Sequence, residues 1–120
     1  MSFPKQSEIE LPLLKTLHEL GGKAEPKELY PKLATLFPQL TEEDLTARLP
    51  SSPSTFRWHN LVQWSRQKLV EKGEIDGSTR GVWKLTSRGR ARYGRYFEFV
   101  RRVTARASSD AERFGLRKRV

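Results

Sequence analysis

The chain has 120 residues, of which 36% are hydrophobic and 31% are charged. This size and composition predict a single domain with one modest core and an ionic surface. The chain contains no cysteine, which excludes disulfides and thiolate metal sites. It has neither an apolar run of about 18 residues nor a basic leader followed by an apolar stretch, so we expect no membrane span and no signal peptide. These features favour a cytoplasmic protein without a cofactor.

Positive charge is concentrated in the second half of the chain. The net charge is +9 at pH 7. Residues 1–55 carry six Lys or Arg against eight Asp or Glu, whereas residues 56–120 carry seventeen against six. A positive excess confined to one region is typical of a surface that binds a polyanion. The other interpretation of this pattern is a surface that is charged for solubility alone.

Two helices are predicted in the first 40 residues. Apolar residues at helical spacing predict a helix over 7–20, with Ser7 as its N-cap and two glycines at its end. Residues 23–25 are long enough only for a short edge strand. Pro26 suits the first position of a second helix over 26–37. This second helix is expected to bury Leu29, Leu33, Leu36 and Phe37.

A third, short helix is predicted over 41–49. Thr41 can cap it, and three acidic residues follow in its first turn, where the helix dipole favours negative charge. The Ser-Ser-Pro-Ser stretch at 51–54 is typical of a turn. This turn leads into a long helix, for which Ser54 or Thr55 is the predicted cap.

The long helix, which runs to Gly73, has one core-facing side and one polar side. The core side is expected to hold four residues at helical spacing: Trp58, Val62, Ser65 and Leu69. The polar side carries long donors and amides, with no acidic residue before Glu71: Arg57, His59, Asn60, Gln63, Arg66 and Gln67. Such a helix can enter the major groove of DNA, where amides pair with adenine and arginine with guanine. The candidates for base-edge contacts are therefore Asn60, Gln63, Arg66 and Gln67, and Arg57 and His59 are expected nearer the DNA backbone. A protein with such a helix is expected to be associated with the nucleoid. The alternative for any one of these side chains is ordinary solvated surface.

A short hairpin follows the long helix. Residues 75 and 82–85 are predicted strands, and the turn between them contains the residues that tight hairpins require. Alternation directs Trp83 and Leu85 inward and Lys84 outward. We expect phosphate or minor-groove contacts, which position a protein on DNA without specifying sequence, from Ser78, Thr79, Arg80 and Lys84. Arg88, in the helix that follows, is expected to add a phosphate contact. A charged hairpin tip that only prevents edge-to-edge aggregation is the alternative.

The last predicted helix covers residues 87–107 and is basic and amphipathic. Its apolar stripe consists of Tyr93, Tyr96, Phe97, Val100 and Val103. Three interpretations stay open: the stripe packs back on the domain as extra core, it pairs with a second copy, or the helix leads into another domain. The chain is accordingly a monomer or a homodimer. Residues 108–120 are predicted to form a flexible basic tail or linker.

The order of these elements is helix, short strand, helix, helix, long helix and hairpin. This order predicts a winged helix-turn-helix domain over residues 1–86. The predicted fold class is therefore mainly α with a small β-hairpin, extended by a C-terminal helix.

Three parts of the sequence are distinctive: LPLLKTLHELGGKAEPKELYPKLA, LTEEDLTARLPS, and NLVQWSRQKLVEKGEI followed by RGVWKLTSRGRA. Over roughly residues 7–92 they resemble the N-terminal winged-helix domain of Mrr-family restriction endonucleases. The resemblance implies a domain that brings a nuclease domain, in cis or in trans, to double-stranded DNA. Related winged helices read methylated bases, and Trp64 is the candidate for such a contact. Leu61 stands where relatives usually have a basic residue, so their target preference is not carried over.

Candidate catalytic residues are scarce. Glu25-Pro26-Lys27 matches the Glu-x-Lys of metal-dependent nucleases, but no Asp precedes it. His18 and His59 are the two histidines, and neither has a nucleophile or carboxylate partner at a telling spacing. We therefore expect a DNA-targeting module of a restriction or defence system, without catalytic or metal-binding residues. A DNA-binding transcription regulator and a winged helix that binds only proteins are the alternatives.

Overall fold

The computed structural model describes the backbone of residues 3–113 and the side chains of residues 3–107. This part of the chain contains five helices and five strands, in the order α1 Gln6–Glu19, β1 Lys23–Ala24, α2 Pro26–Ala34, α3 Glu42–Thr46, β2 Arg48–Leu49, β3 Ser52–Phe56, α4 Arg57–Glu71, β4 Ile75–Asp76, β5 Trp83–Leu85 and α5 Ser87–Arg113. The predicted fold class, mainly α with a winged-helix arrangement, is confirmed. Among the described residues, no helix combines the length and the apolar character that crossing a bilayer requires.

Strands β1, β5 and β4 form one antiparallel sheet in that order. Lys23 lies opposite Lys84 and Ala24 lies opposite Trp83, so the turn after α1 is joined to the wing, which we define as residues 75–85. The predicted edge strand and hairpin are thus confirmed. Trp83 and Leu85 are buried and Lys84 lies on the other face, as alternation predicts.

The first helix starts slightly earlier than predicted. Ser7 lies inside it, so the prediction that Ser7 caps this helix is wrong. The interaction at the helix start instead comes from Glu8, whose carboxylate accepts a hydrogen bond from the backbone N–H of Lys5 at 2.6 Å. Pro12 lies within the helix without ending it, and the hydroxyl of Thr16 donates to its carbonyl oxygen at 2.8 Å.

The second helix ends at Ala34, before the predicted end at residue 37. The N–H groups of Leu36 and Phe37 donate to the carbonyls of Leu33 and Ala34, which lie three residues back. Such tight winding differs from α-helical spacing and turns the side chains by a different angle. Leu36 is therefore 38% exposed while Phe37 is buried, so the prediction of a buried Leu36 is wrong.

A second hairpin, β2–β3, separates α3 from α4. The prediction of a turn over 51–54 is therefore wrong for residues 52–54, which belong to β3. Arg48 pairs with Phe56, and Leu49 pairs with Ser52. The third helix therefore ends before the predicted residue 49, and α4 begins at Arg57, after the predicted caps. The sequence of β3 is rich in Ser and Pro, which are weak strand formers and typical of turns. The pairing is supported by the Arg48 guanidinium, which lies 4.4 Å from the centroid of the Phe56 ring.

The buried side of α4 is the side that the sequence predicts. Its core residues are at most 2% exposed: Trp58, Val62, Ser65 and Leu69. The indole N–H of Trp58 donates to the backbone carbonyl of Tyr30 at 3.0 Å, and the hydroxyl of Ser65 donates to the carbonyl of Gln6 at 3.1 Å. Both polar groups in this core thus have partners on neighbouring elements, which fixes the direction of the opposite side of α4.

A buried ion cluster, which the sequence analysis did not identify, fixes the first part of α5. Arg92 donates through Nη1 to the carboxylates of Glu10 at 2.8 Å and Glu74 at 2.6 Å. Lys72 Nζ lies 2.6 Å from the same oxygen of Glu10. Burial alone would raise the pKa of Glu10, but the hydrogen bonds from Lys72 and Arg92 outweigh burial and hold this pKa below its ordinary value. The cluster joins α1, the residues between α4 and β4, and α5.

The fifth helix continues to Arg113, past its predicted end at residue 107. Residues 114–120 of the predicted tail lie outside the described residues. Tyr93 is half-buried and its ring lies 4.9 Å from the ring of His18, a surface residue as predicted. Further along, Tyr96, Phe97, Phe99, Val100 and Val103 are 40–64% exposed. The interpretation that the apolar stripe packs back on the domain is therefore correct for Tyr93 and wrong for the other residues of the stripe.

Candidate nucleic-acid interface

An open cleft, the α4 cleft, lies between α4, the start of α2 and the wing. Its volume is about 690 Å³. Its lining consists of Pro26, Tyr30, Asn60, Gln63, Trp64, Arg66, Gln67, Glu71, Gly81 and Trp83. Five of the predicted DNA-contact residues come together here: Asn60, Gln63, Trp64, Arg66 and Gln67. The cleft is therefore the part of the surface where base-edge contacts can be made as a set.

The exposed side of α4 offers amides and one aromatic ring. Trp64 is 55% exposed, which confirms that it lies off the core stripe. The amide of Gln67 lies at the far end of the cleft, where its Nε2 is 3.5 Å from the carboxylate of Glu71. An amide presents a donor and an acceptor side by side, which matches the major-groove edge of adenine.

Arg66 joins α4 to the wing. Its guanidinium carbon lies 5.5 Å from the centroid of the Trp83 ring, within the range of a cation–π interaction. The same guanidinium also lies against Gly77, where no Cβ stands in its way. Its Nε is buried and has no hydrogen-bond partner among the described residues. This side chain is thus held between α4 and the wing at the wall of the cleft.

Tyr30 organises the opposite wall of the cleft, a role that the sequence analysis did not assign. Its hydroxyl accepts a hydrogen bond from Gln63 Nε2 at 2.8 Å, which fixes one of the predicted base-contacting amides. Its ring stacks on His59, with centroids 3.7 Å apart and planes inclined by 9°. The sequence held one signal for this role, since Tyr30 is an aromatic residue with a polar end beside the apolar stripe of α2.

His59 is enclosed by aromatic rings and does not line the α4 cleft. Its ring stacks on Tyr30, and Phe56 lies on it with a centroid distance of 4.9 Å. Burial lowers the pKa of His59 below its ordinary value, because it disfavours the charged form. Burial therefore favours the neutral form of His59, which carries no charge to attract a phosphate.

The tip of the wing is polar and open to solvent. Ser78, Thr79 and Arg80 are all exposed. The carboxylate of Asp76 accepts a hydrogen bond from the backbone N–H of Ser78 at 2.9 Å, which shapes the turn. Hydrogen bonds from Ser78 lower the pKa of Asp76. Lys84 lies apart from the α4 cleft, in a shallow depression that also includes Lys23 and Thr79.

Comparison with known families settles which group of proteins this chain belongs to. A family model described as Mrr N-terminal domain matches residues 7–94, which include the α4 cleft and the wing. The chain belongs to the Mrr N-terminal domain family. No curated protein and no solved structure matches the chain. Membership of the family associates the chain with restriction systems.

Two further predicted contact residues of this Mrr N-terminal domain also lie outside the cleft, one near each end of α4. Arg88 donates through Nη1 to the backbone carbonyl of Lys72 at 3.2 Å, at the end of α4. The guanidinium of Arg57 lies 5.0 Å from the centroid of the Phe3 ring, at the start of α4. Within the described residues, no group of three or more His, Cys, Asp or Glu side chains is arranged to hold a metal ion.

Proposed function

We propose that this Mrr N-terminal domain binds double-stranded DNA and targets a restriction system to it. The observation that carries the proposal is the exposed side of α4, where three amides, one arginine and one tryptophan face a single open cleft beside the wing. The buried core behind α4 holds this helix as a rigid unit. In the proposed complex α4 lies in the major groove, which is about 12 Å wide and admits a helix.

The charge distribution supports this proposal. The second half of the chain carries seventeen Lys or Arg against six Asp or Glu, and the wing tip exposes Arg80. Positive side chains around the cleft would neutralise phosphates and release counterions on binding. If about six to ten phosphates are neutralised, affinity falls ~10³- to 10⁵-fold between 50 and 200 mM salt.

Fluorescence-anisotropy binding to duplexes at two salt concentrations tests the proposal. We expect Asn60→Ala and Gln67→Ala to cost about 1–3 kcal/mol each on the preferred sequence and to relax the sequence preference, since they remove base-edge contacts. Arg80→Ala should weaken binding to every sequence alike and reduce the salt slope by about one, since it removes a phosphate contact. Lys15→Ala is the control, because Lys15 lies on α1 and does not line the cleft.

Two outcomes would overturn the proposal. The first is binding that does not depend on salt, and the second is an absence of binding to any duplex. The second outcome would favour the protein-interaction function. Tight binding with a preference for palindromic operators and no link to restriction would favour a transcription regulator.

The aromatic lining of the cleft supports a finer proposal, a preference for a methylated base. Tyr30, Trp64 and Trp83 all line the cleft. A methyl group on cytosine C5 or adenine N6 projects into the major groove, where an apolar ring can cover it. We expect tighter binding to methylated than to unmodified duplexes by about tenfold, or 1.4 kcal/mol, and loss of this preference in Trp64→Ala. Equal affinity for matched duplexes would contradict the finer proposal alone.

We also propose that this domain supplies recognition and that cleavage belongs to a nuclease domain in cis or in trans. The support is the association of the family with restriction. We expect no cleavage of plasmid DNA when the purified chain is incubated with Mg²⁺. The contradicting result would be cleavage of DNA by the wild-type chain that is lost in the variant Glu25→Gln. This variant removes the carboxylate of the Glu-x-Lys motif.

A further inference from the structure

The far half of α5 presents an apolar surface that no described residue covers. The exposed fractions of its five large apolar side chains are 44% for Tyr96, 52% for Phe97, 64% for Phe99, 40% for Val100 and 50% for Val103. The helix belongs to an elongated molecule, 55 Å long and 21 Å across its thinnest direction. Apolar residues scattered singly over a surface are ordinary, whereas a contiguous patch indicates a contact site.

The spacing of these residues is that of a helix–helix seam. Tyr93, Tyr96, Val100, Val103 and Ala107 follow one another at alternating intervals of three and four residues. This is the 3.5-residue period at which one helix covers another. Phe97 and Phe99 occupy the positions that flank this seam on its two sides.

Most charged residues of this part of α5 lie on the outer side of the helix. Arg95, Glu98, Arg101 and Arg102 occupy the positions away from the seam in the same repeat, and Arg106 flanks the seam near its far end. The carboxylate of Glu98 pairs there with Arg101 at 2.8 Å. The middle of the seam, from Tyr96 to Val103, can therefore meet a second copy without bringing like charges together, although the helix as a whole is strongly basic.

We propose that this seam is the interface of a homodimer, in which α5 of a second copy covers residues 93–107. A second copy fits the observations because it presents an identical uncharged stripe with the same period. A partner that recognised the arginines would have to bind the outer side of α5 and would leave the aromatic residues uncovered.

The size of the seam indicates a weak dimer. The five side chains expose on the order of 450 Å² per copy, taking about 150–250 Å² for a whole aromatic side chain. Pairing would bury about 900 Å² in total, below the ~1,600 Å² of a standard stable interface. We therefore expect weak, concentration-dependent self-association instead of a stable dimer.

One consequence rests on the proposed function, whereas the dimer itself does not. A two-fold dimer places two α4 helices on one duplex, and binding of the first raises the effective concentration of the second. Weak self-association in solution would then become cooperative binding on DNA with two half-sites.

Sedimentation velocity of the full chain without DNA, from about 5 to 500 µM, tests the proposal. We expect the wild type to shift from monomer to dimer across this range. Val100→Asp places a carboxylate in the middle of the seam and should raise the dissociation constant by about 100-fold or more, since the charge would be buried without a partner. Ala105→Asp makes the same change in charge on the outer side of α5 and should associate like the wild type.

Two results would overturn the dimer: a wild type that stays monomeric throughout this range, or association that Val100→Asp leaves unchanged. Val100 is 40% exposed in the single chain, so circular dichroism should show unchanged helix content and melting temperature for this variant. DNA binding measured far below the dissociation constant tests the proposed function separately, because both variants are monomeric there. Loss of DNA binding with intact self-association would therefore count against the function alone.

Discussion

The guanidinium group of Arg66 lies over the indole ring of Trp83, with 5.5 Å between the guanidinium carbon and the ring centroid. This contact joins the middle of α4 to the central strand of the wing sheet. It also places the arginine against Gly77 in the wing turn. Arg66 is therefore one of the side chains that hold α4 against the wing, and it lies at the wall of the α4 cleft.

The variant Gly77→Ala tests whether this contact matters for DNA binding. An alanine Cβ would clash with Nη2 of Arg66 and lie 3.3 Å from Cγ2 of Val70. Because Nη2 is the end of a flexible side chain, we expect the guanidinium to leave Trp83 while stability falls by less than about 1 kcal/mol. Affinity for DNA should fall about 10-fold, or ~1.4 kcal/mol, since α4 and the wing lose their common anchor. Anisotropy and urea denaturation measure the two effects.

Gly94→Ala is the control for this prediction. A Cβ at Gly94 meets no other atom within 4 Å, and Gly94 lies on α5, outside the cleft. Its affinity for DNA should equal that of the wild type. Equal affinities for Gly77→Ala and Gly94→Ala would show that the Arg66 contact has no role in binding.

Alanine substitutions at Gly89 and Gly94, both in α5, should change the stability of the fold in opposite directions. A Cβ at Gly89 would clash with the backbone carbonyl of Glu74 and lie 2.9 Å from Cδ1 of Leu85. Since backbone must move, we expect Gly89→Ala to destabilise the fold by about 1–3 kcal/mol. Gly94→Ala should stabilise it by up to about 1 kcal/mol, because alanine favours the helix. Thermal and urea unfolding measure both, and a neutral Gly89→Ala would contradict the close approach of α5 to Glu74.

The parts of the structure that could be predicted are those that follow from periodicity. The helical repeat placed Trp58 and Leu69 in the core and Trp64 outside it, and strand alternation placed Trp83 and Lys84 on opposite faces. A local pattern decides which side of an element is buried, because burial of apolar surface dominates the free energy of that choice. The core side of α4, and with it the direction of the cleft, was therefore predictable.

The parts that could not be predicted depend on contacts between distant segments. The bond between Gln63 and Tyr30 joins residues 33 positions apart, and the bond between Arg92 and Glu10 joins residues 82 positions apart. No local pattern encodes such partners. The β2–β3 hairpin was missed because the turn-forming residues of β3 become a strand through pairing with Arg48.

Removing Arg92 should destabilise the fold strongly. Glu10 is 5% exposed and Glu74 is 8% exposed, and Arg92 donates to both carboxylates. Arg92→Ala leaves Glu74 without this partner and Glu10 with Lys72 alone, so we expect a loss of about 2–4 kcal/mol in the free energy of unfolding. The exposed pair Lys15–Glu19, at 2.9 Å, provides the control. Lys15→Ala should cost less than about 1 kcal/mol, and similar losses in the two variants would refute the role of the cluster.

The stability of the fold should depend on the ionisation of His59. Burial holds the pKa of His59 in the folded chain below its ordinary value. Between these two pKa values the unfolded chain binds more protons than the folded chain, so the free energy of unfolding rises with pH through that window. The contribution of neutral His59 to the free energy of unfolding is fully present above about pH 6.5. It is lost as the pH falls through the pKa of His59 in the folded chain.

His59→Phe keeps an aromatic ring between Tyr30 and Phe56 but removes the titrating group. We therefore expect the free energy of unfolding of this variant to fall less than that of the wild type when the pH is lowered from about 6.5 to about 5. Carboxylates remain ionised across this range. Urea denaturation of the wild type and of His59→Phe across this range measures the difference. A wild-type slope in His59→Phe would show that another group causes the pH dependence and that burial of His59 has no thermodynamic effect.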